Sequence, residues 1–480
     1  MRKIVVLSTT LILILMASTM VMFCRAPDAT PKTGLSRIAK YSVDPFKVQA
    51  ITSAEMDNTP ADPIPYNVDM VDAETTTNDG EGIYVAVLDT GLLSNYLSFF
   101  PPNKVDIKEE WGKGFTHDVF YVGSGGNWSD DGKFSYGPLR DDRGFLTHDA
   151  GNPDKYGLGW GSGHGTHVTS IITGYSFWRG TVSTWIAGVA PKVTIIPVLV
   201  LDEWIAFEPK KNGGAGWFWT GGTDEMVAAG IRYIGDLAKE HHVKIVINMS
   251  LGGPGYTQEE LNAVNYAISQ GVIIVASAGN EGEDGMGWPG AFPQVISAAA
   301  AGWTQEYGGG YYTYYWWWWD VPEMLNTNNY VFDPYTGITY KNNWQTYLVD
   351  FSSRPNKDLG QAMSDLDVAA PGCAIRGPYK PYGSTQWGFY GVWGTSQAAP
   401  HVTGVAALLL QSYPELMQFE MHWILKKAAT GVPLSADGAH ISDTFSNFAV
   451  WYYAWNDHDA GAGFLTFDEV FKTAKSIRPQ

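Results

Sequence analysis

Cysteine is nearly absent from this chain: its 480 residues include only Cys24 and Cys373, and the first closes an N-terminal apolar run. A disulfide framework within the folded part is therefore excluded, leaving the hydrophobic core, with bound ions as a further candidate support. Positive charge is scarce too. Lys and Arg number 31 against 49 Asp and Glu, a formal net charge of −18. No basic patch is available to neutralise phosphates, which excludes nucleic acid as a partner. Long apolar runs are missing except for Ile4–Phe23, which carries no charge and follows Arg2 and Lys3. That run has the flanks of a secretory signal and the length of a membrane span. No clean small-x-small cleavage site follows it, and Phe23 before Cys24 argues against lipid attachment. Residues 1–24 therefore read as a signal peptide or a membrane anchor, and either implies export to the exterior or the cell surface. Residues 25–60, polar and rich in Pro, Thr, Asp and Ala, read as a linker or short pro-segment, and 61–480 as the folded domain.

Within that domain, short β-branched apolar runs recur at Ile83–Leu88, Val193–Val200, Lys244–Met249 and Val272–Ala276, each of strand length. Helical patterns separate them. Asp224–Lys239 has apolar residues at 227, 231, 234 and 238. Thr257 and Glu260 form a capping box ahead of Leu261, Val264 and Ile268, and Gly271 closes that helix. Further helices are expected over Thr166–Thr173 and near Phe467–Ser476. Such alternation predicts an α/β fold, a mostly parallel sheet with helices on both faces. In such sheets chemistry gathers beyond the carboxyl ends of the strands. Asp89 and Ser250 fall just past strand ends, and Asn280 follows soon after one.

Residues 394–404, Gly-Thr-Ser-Gln-Ala-Ala-Pro-His-Val-Thr-Gly, run into the apolar stretch Val405–Leu410. This pattern predicts a serine at the start of a buried helix, with Ala398, Ala399 and Pro400 in the first turn. Free N–H groups and the helix dipole there favour developing negative charge at Ser396. By itself Gly-Thr-Ser reads as a helix cap rather than a nucleophile. A serine nucleophile needs a base, an orienting carboxylate and oxyanion donors. His164, flanked by glycines at a helix start, has an imidazole that titrates near neutral pH. Asp89, at a buried strand tip, is a carboxylate in need of a partner. His164 and His167 also raise the possibility of a metal pair, but they stand three apart and lack the Glu that zinc peptidases use.

These segments together resemble the subtilisin-like serine proteases, the subtilases. Val87–Gly91 resembles the family's Asp motif, Gly163–Val168 its His motif and Gly394–Gly404 its Ser motif, in the family's order. Gly188–Pro191, Asn248–Gly253, Ala276–Gly282, Phe351–Ser353 and Leu366–Gly372 match further family segments, so the resemblance spans about residues 62–302 and 350–475. It implies a three-layer, twisted, subtilisin-like α/β sheet and an endopeptidase with Asp89, His164 and Ser396 as catalytic triad. It also implies an oxyanion hole from Asn280 and the Ser396 N–H. Ser250, Leu251 and Gly252 would pair with an extended substrate. Ala278, Gly279 and Gly287 would bound a pocket for a bulky apolar P1 side chain, with Glu281 at its rim. Protein or peptide substrates are the implied partners, and the chemistry requires no cofactor.

The chain also departs from the family pattern. Gln397 follows the nucleophile where many subtilases carry Met. Extra length falls near 96–160, 201–222 and 303–350, all read as loop insertions. The last holds an aromatic cluster over 311–319, including Trp316–Trp319, which either contacts a membrane, glycan or partner or covers the domain's own apolar surface. Structural calcium is an open expectation without assigned ligands: Ser98 stands where an Asp ligand is expected, and Asp130, Asp131, Asp141 and Asp142 are loop carboxylates. Asp89-Thr90-Gly91 also resembles the aspartic-protease signature, but no second copy exists in the chain to share a proton. The alternative from another class is a non-catalytic surface binding protein on a subtilase scaffold.

Overall fold

The computed structural model describes residues 47–50, 64–122, 133–146, 162–179, 182–207, 216–303, 346–381, 386–432 and 459–478, plus short strands and single residues between them. The N-terminal apolar run, Asp130, Asp131 and the cluster at 311–319 lie outside the described residues. The strands that organise the domain are β1 (Lys47–Ala50), β2 (Tyr84–Asp89), β3 (Lys113–Val122), β4 (Lys133–Arg143), β5 (Thr194–Leu199) and β6 (Ile245–Met249). They continue with β7 (Ile273–Ser277), β8 (Ile296–Trp303), β9 (Thr346–Leu348), β10 (Val368–Pro371), β11 (Ile375–Tyr379) and β12 (Gly388–Trp393). The helices are α1 (His164–Thr173), α2 (Asp224–His241), α3 (Gln258–Ser269), α4 (Thr395–Ser412), α5 (Gln418–Ala429) and α6 (Phe467–Ile477).

The main sheet has the order β9-β8-β7-β6-β2-β5-β3-β4, with β10 also on β8. Its centre, from β8 to β5, is parallel throughout. β6 and β7 are buried at every position, the pattern of strands covered on both faces. α2 packs with α3, and α1 with α4, each pair against the strands, giving the three layers. Capping explains where the helices begin. Thr223 Oγ1 accepts from Met226 N, and Thr257 Oγ1 accepts from Glu260 N. Gly271, at φ +87°, follows the end of α3. No helix among the described residues is long and apolar enough to cross a membrane.

Three stretches differ from the sequence expectation. Part of 96–160, read as surface loop, is the β3–β4 hairpin, which extends the sheet edge. Register shifts between Gly114 and Thr116 and between His117 and Val119 break its two-residue period, so alternation is invisible in the sequence. The insertion at 201–222 forms an antiparallel hairpin, Asp202–Phe207 with Gly216–Gly221. Within 25–60, read as a linker or short pro-segment, β1 forms an antiparallel pair with β12, which also pairs with β11 in a separate three-stranded sheet.

Candidate active site

Asp89 ends β2, where the parallel strands stop, and its carboxylate is fully buried. Both of its oxygens lie 2.9 Å from His164 Nδ1, and Oδ1 also accepts from Thr90 N at 2.7 Å. His164 opens α1 two residues earlier than the expected Thr166, so its ring projects from the first turn. Close approach of the two segments depends on Gly165. A Cβ there would lie 2.3 Å from the Gly91 carbonyl oxygen. Thr90 Oγ1 fastens the same junction, accepting from Gly165 N at 3.0 Å and donating to the Ser162 carbonyl at 3.2 Å. With Nδ1–H donating to Asp89, Nε2 of His164 is the basic nitrogen, and it has no hydrogen-bond partner.

Ser396 is the second residue of α4, a helix buried from Thr395 to Leu410. Its hydroxyl donates to the Ser250 carbonyl at 3.1 Å, so the Ser396–His164 hydrogen bond is not made in this state. Apo catalytic sites commonly hold such bonds open until substrate arrives. Pro400 lies in the second turn of α4, one turn deeper than the sequence suggested, because the helix starts at Thr395. It therefore cannot donate to the Ser396 carbonyl four residues earlier. Ser250 Oγ supplies that missing donor at 2.7 Å. Behind it Asn248 Nδ2 donates to Ser250 Oγ at 3.0 Å, and Thr403 Oγ1 donates to Asn248 Oδ1 at 2.9 Å. The Ser250 side chain thus holds the nucleophile's main chain from beneath.

Asn280 is oriented by the residue before the nucleophile. Its Oδ1 accepts from both Thr395 N (2.9 Å) and Thr395 Oγ1 (3.0 Å), while Gly279 N donates to Thr395 Oγ1 at 3.1 Å. With the carbonyl end occupied, the Nδ2 end is left to donate. The Ser396 N–H lies in the first turn, where no carbonyl of the helix can accept it.

Of the expected substrate residues, Ser250, Leu251 and Ala278 have buried side chains, so only their main chains can meet a ligand. Gly252 and Gly287 face each other, a Cβ on Gly287 lying 3.3 Å from Gly252 Cα. Next to them Gly253 and Trp288 exchange two 2.9 Å main-chain hydrogen bonds. Gly279 has φ +111°, and a Cβ there would meet Glu281 Oε2 at 2.5 Å. Ser353 Oγ donates to that same oxygen at 2.9 Å, pinning Glu281.

Two further histidines belong to the scaffold. His167 Nε2 faces the Ile375 carbonyl at 3.1 Å, and burial, then the nearby His164, lower its pKa to about 3. His401 bridges the Gln397 carbonyl (2.7 Å) and Asn67 (2.8 Å), and burial lowers its pKa to about 4. Both are neutral at working pH, and His167 is held by a main-chain carbonyl rather than aligned with His164 on a metal. The candidate calcium carboxylates Asp141 and Asp142 pair with Lys113 (3.1 Å) and Arg140 (2.7 Å). Among the described residues no cluster of three or more His, Cys, Asp or Glu side chains suits a metal.

Sequence reasoning missed Thr90, Asn248, Thr395 and Thr403. The only available signal was a polar residue where an apolar strand or helix predicted none, as at Asn248 inside Ile245–Met249.

A family model described as the subtilase family matches residues 80–448. A subtilisin from Bacillus sp. (strain TA39) is 28% identical over 398 residues, covering 82% of this chain and 69% of its own length. Fervidolysin from Fervidobacterium pennivorans is 30% identical over 327 residues, 65% of this chain but 35% of that protein. Subtilisin E from Bacillus subtilis (strain 168) is 29% identical over 275 residues, 56% of this chain and 51% of its own. Among solved structures, sphericase aligns over 85% of this chain and 99% of its own, at 22% identity and a TM-score of 0.49.

Proposed function

The chain belongs to the subtilase family, a family of serine endopeptidases, and from that premise we propose that it is an exported endopeptidase working through an acyl-enzyme on Ser396. The observation that carries the catalytic assignment is the buried Asp89–His164 pair with its outer nitrogen unpartnered, on the helix packed against that of Ser396. In this reading Ser396 Oγ leaves the Ser250 carbonyl, gives its proton to His164 Nε2 and attacks the scissile carbonyl. Asp89 fixes the tautomer and stabilises the imidazolium, which then protonates the leaving amine. Negative charge forms on the carbonyl oxygen, where Asn280 Nδ2, the Ser396 N–H and the α4 dipole favour it. Water repeats the sequence in reverse and frees the acid product.

The acyl half of the substrate is proposed to pair with main-chain groups of 250–252 as an added strand. Ala278, Gly279 and Gly287 are proposed to bound a pocket for a bulky apolar P1 residue, with Glu281 at its rim tolerating a basic one. Export rests on residues 4–23 with their Arg2-Lys3 flank. A fluorophosphonate probe tests the assignment. Labelling at Ser396 that disappears in Ser396→Ala supports it, whereas a chain that never labels fits a binding protein on this scaffold. Peptide-library profiling checks the pocket, and strict dibasic cleavage would overturn the P1 reading.

A further inference from the structure

Gln397 follows the nucleophile in the first turn of α4 and is fully buried. Its main chain is tied on both sides. The N–H donates to the Gly394 carbonyl at 3.0 Å, and the carbonyl accepts from His401 Nδ1 at 2.7 Å. The carboxamide is not. Neither Oε1 nor Nε2 has a hydrogen-bond partner among the described residues. A primary amide buried without partners weakens a fold, so an apolar residue of the same size would be the more stable choice here.

Gly394 fixes where this carboxamide lies. The point that a Cβ on Gly394 would occupy is 2.8 Å from Gln397 Oε1, 3.6 Å from Asn280 Nδ2 and 3.7 Å from Asn280 Oδ1. Two side-chain amides therefore border one small space, open because residue 394 has no side chain. Asn280 Oδ1 is held by Thr395 N and Thr395 Oγ1, which leaves Nδ2 as its donating end. Gln397 has no such tether, and a half-turn of its carboxamide exchanges Oε1 for Nε2 without breaking a hydrogen bond.

We propose that Gln397 is a further catalytic residue, its Nε2–H donating, beside Asn280 Nδ2 and the Ser396 N–H, to the scissile carbonyl oxygen as that oxygen becomes negative. This rests on the hydrolase reading above and deepens it. The amide is unpaired in the free enzyme because its acceptor gains full charge only when the carbonyl carbon turns tetrahedral. A bond strongest at that point raises kcat without tightening substrate binding. A donor already buried beside the nucleophile needs little reorganisation when the charge appears.

Gln397→Met and Gln397→Leu test this in the full chain, each filling a similar volume without a donor. Three probes are compared: a peptide anilide substrate, a peptide boronic acid that forms a tetrahedral anionic adduct on the serine, and the matched peptide amide. In both variants kcat for the anilide should fall about 10–100-fold, the worth of one hydrogen bond to a charged acceptor, with KM within about twofold. The boronic acid should bind weaker by a similar factor, and the peptide amide as before. Fluorophosphonate labelling at Ser396 should slow yet still reach completion. A kcat within about threefold of the parent in both variants would overturn the proposal. So would a fall in kcat with boronic acid binding unchanged, or an equal weakening of boronic acid and amide, which is the mark of disturbed packing. A parent chain that never labels would overturn the hydrolase reading itself.

Discussion

Ser250→Ala probes how a proline is tolerated in the nucleophile's own helix. Pro400 withholds the N–H due to the Ser396 carbonyl, and the Ser250 hydroxyl replaces it at 2.7 Å while accepting from Asn248 Nδ2 at 3.0 Å. Truncation strands two buried groups, the carbonyl and one amide N–H. At about 1–3 kcal/mol for each buried polar group without a partner, the variant should lose roughly 2–6 kcal/mol, read as a lower denaturant midpoint with unchanged m-value. Because the lost bond fixes the main chain of Ser396, the fluorophosphonate labelling rate should fall about tenfold or more. Pro400→Ala supplies the internal control, since it returns the helix's own donor to the same carbonyl. In the Ser250→Ala background it should recover about 1 kcal/mol more than it contributes alone, a coupling measurable by double-mutant cycle. Equal midpoints for Ser250→Ala and parent, or strict additivity of the two changes, would refute this account of the helix.

Asn280→Ala should lower kcat by about 10²–10³ with KM within about twofold, because the donor acts on charge present only in the transition state. A loss confined to KM would assign Asn280 to ground-state binding instead. Gln397 is fully buried with neither amide atom partnered. Gln397→Met should therefore raise the melting midpoint and introduce rapid inactivation by dilute peroxide, which the parent resists. An unchanged or lower midpoint contradicts the stability half, and peroxide loss in the parent the other. Asp367 accepts from His422 and Lys426, both at 2.7 Å. Burial alone would raise its pKa, but these two partners outweigh burial and hold it below the usual carboxylate range. A depressed folded value stabilises above the unfolded carboxylate pKa of about 4, and that stabilisation drains as pH falls below it. Asp367→Asn should cost about 3–5 kcal/mol at pH 7 and show a shallower acid limb in urea midpoints below about pH 4. A parallel acid limb in the two proteins would exclude Asp367 as its source.

What the sequence displayed, and what it hid, follows from the range of the interactions. Strands buried on both faces are dominated by apolar residues, so β6 and β7 could be read, to within a residue at each end, from the runs Lys244–Met249 and Val272–Ala276. A glycine that admits a neighbouring backbone leaves a local mark, as at Gly165 beside His164. The sheet-edge hairpin at 113–143 carried no such mark, since an edge strand has a solvated side and its bulges scramble the alternation. The site divides in the same way. Asp89, His164, Asn280 and Ser396 are each recognisable from their immediate neighbours, but the bonds that set their geometry join residues remote in sequence. Ser250 lies 146 positions from the carbonyl it supports, and Thr395 lies 115 from the amide it orients. Pro400 shows why such supports cannot be read locally. Its position predicts that a buried carbonyl needs a donor, yet any hydroxyl in the chain satisfies that requirement equally on paper. Only the convergence of β6 and α4 selects Ser250. A support of this kind appears in sequence as an unexplained polar residue at the end of an apolar strand, and the same convergence that hides it makes its removal measurable at the nucleophile.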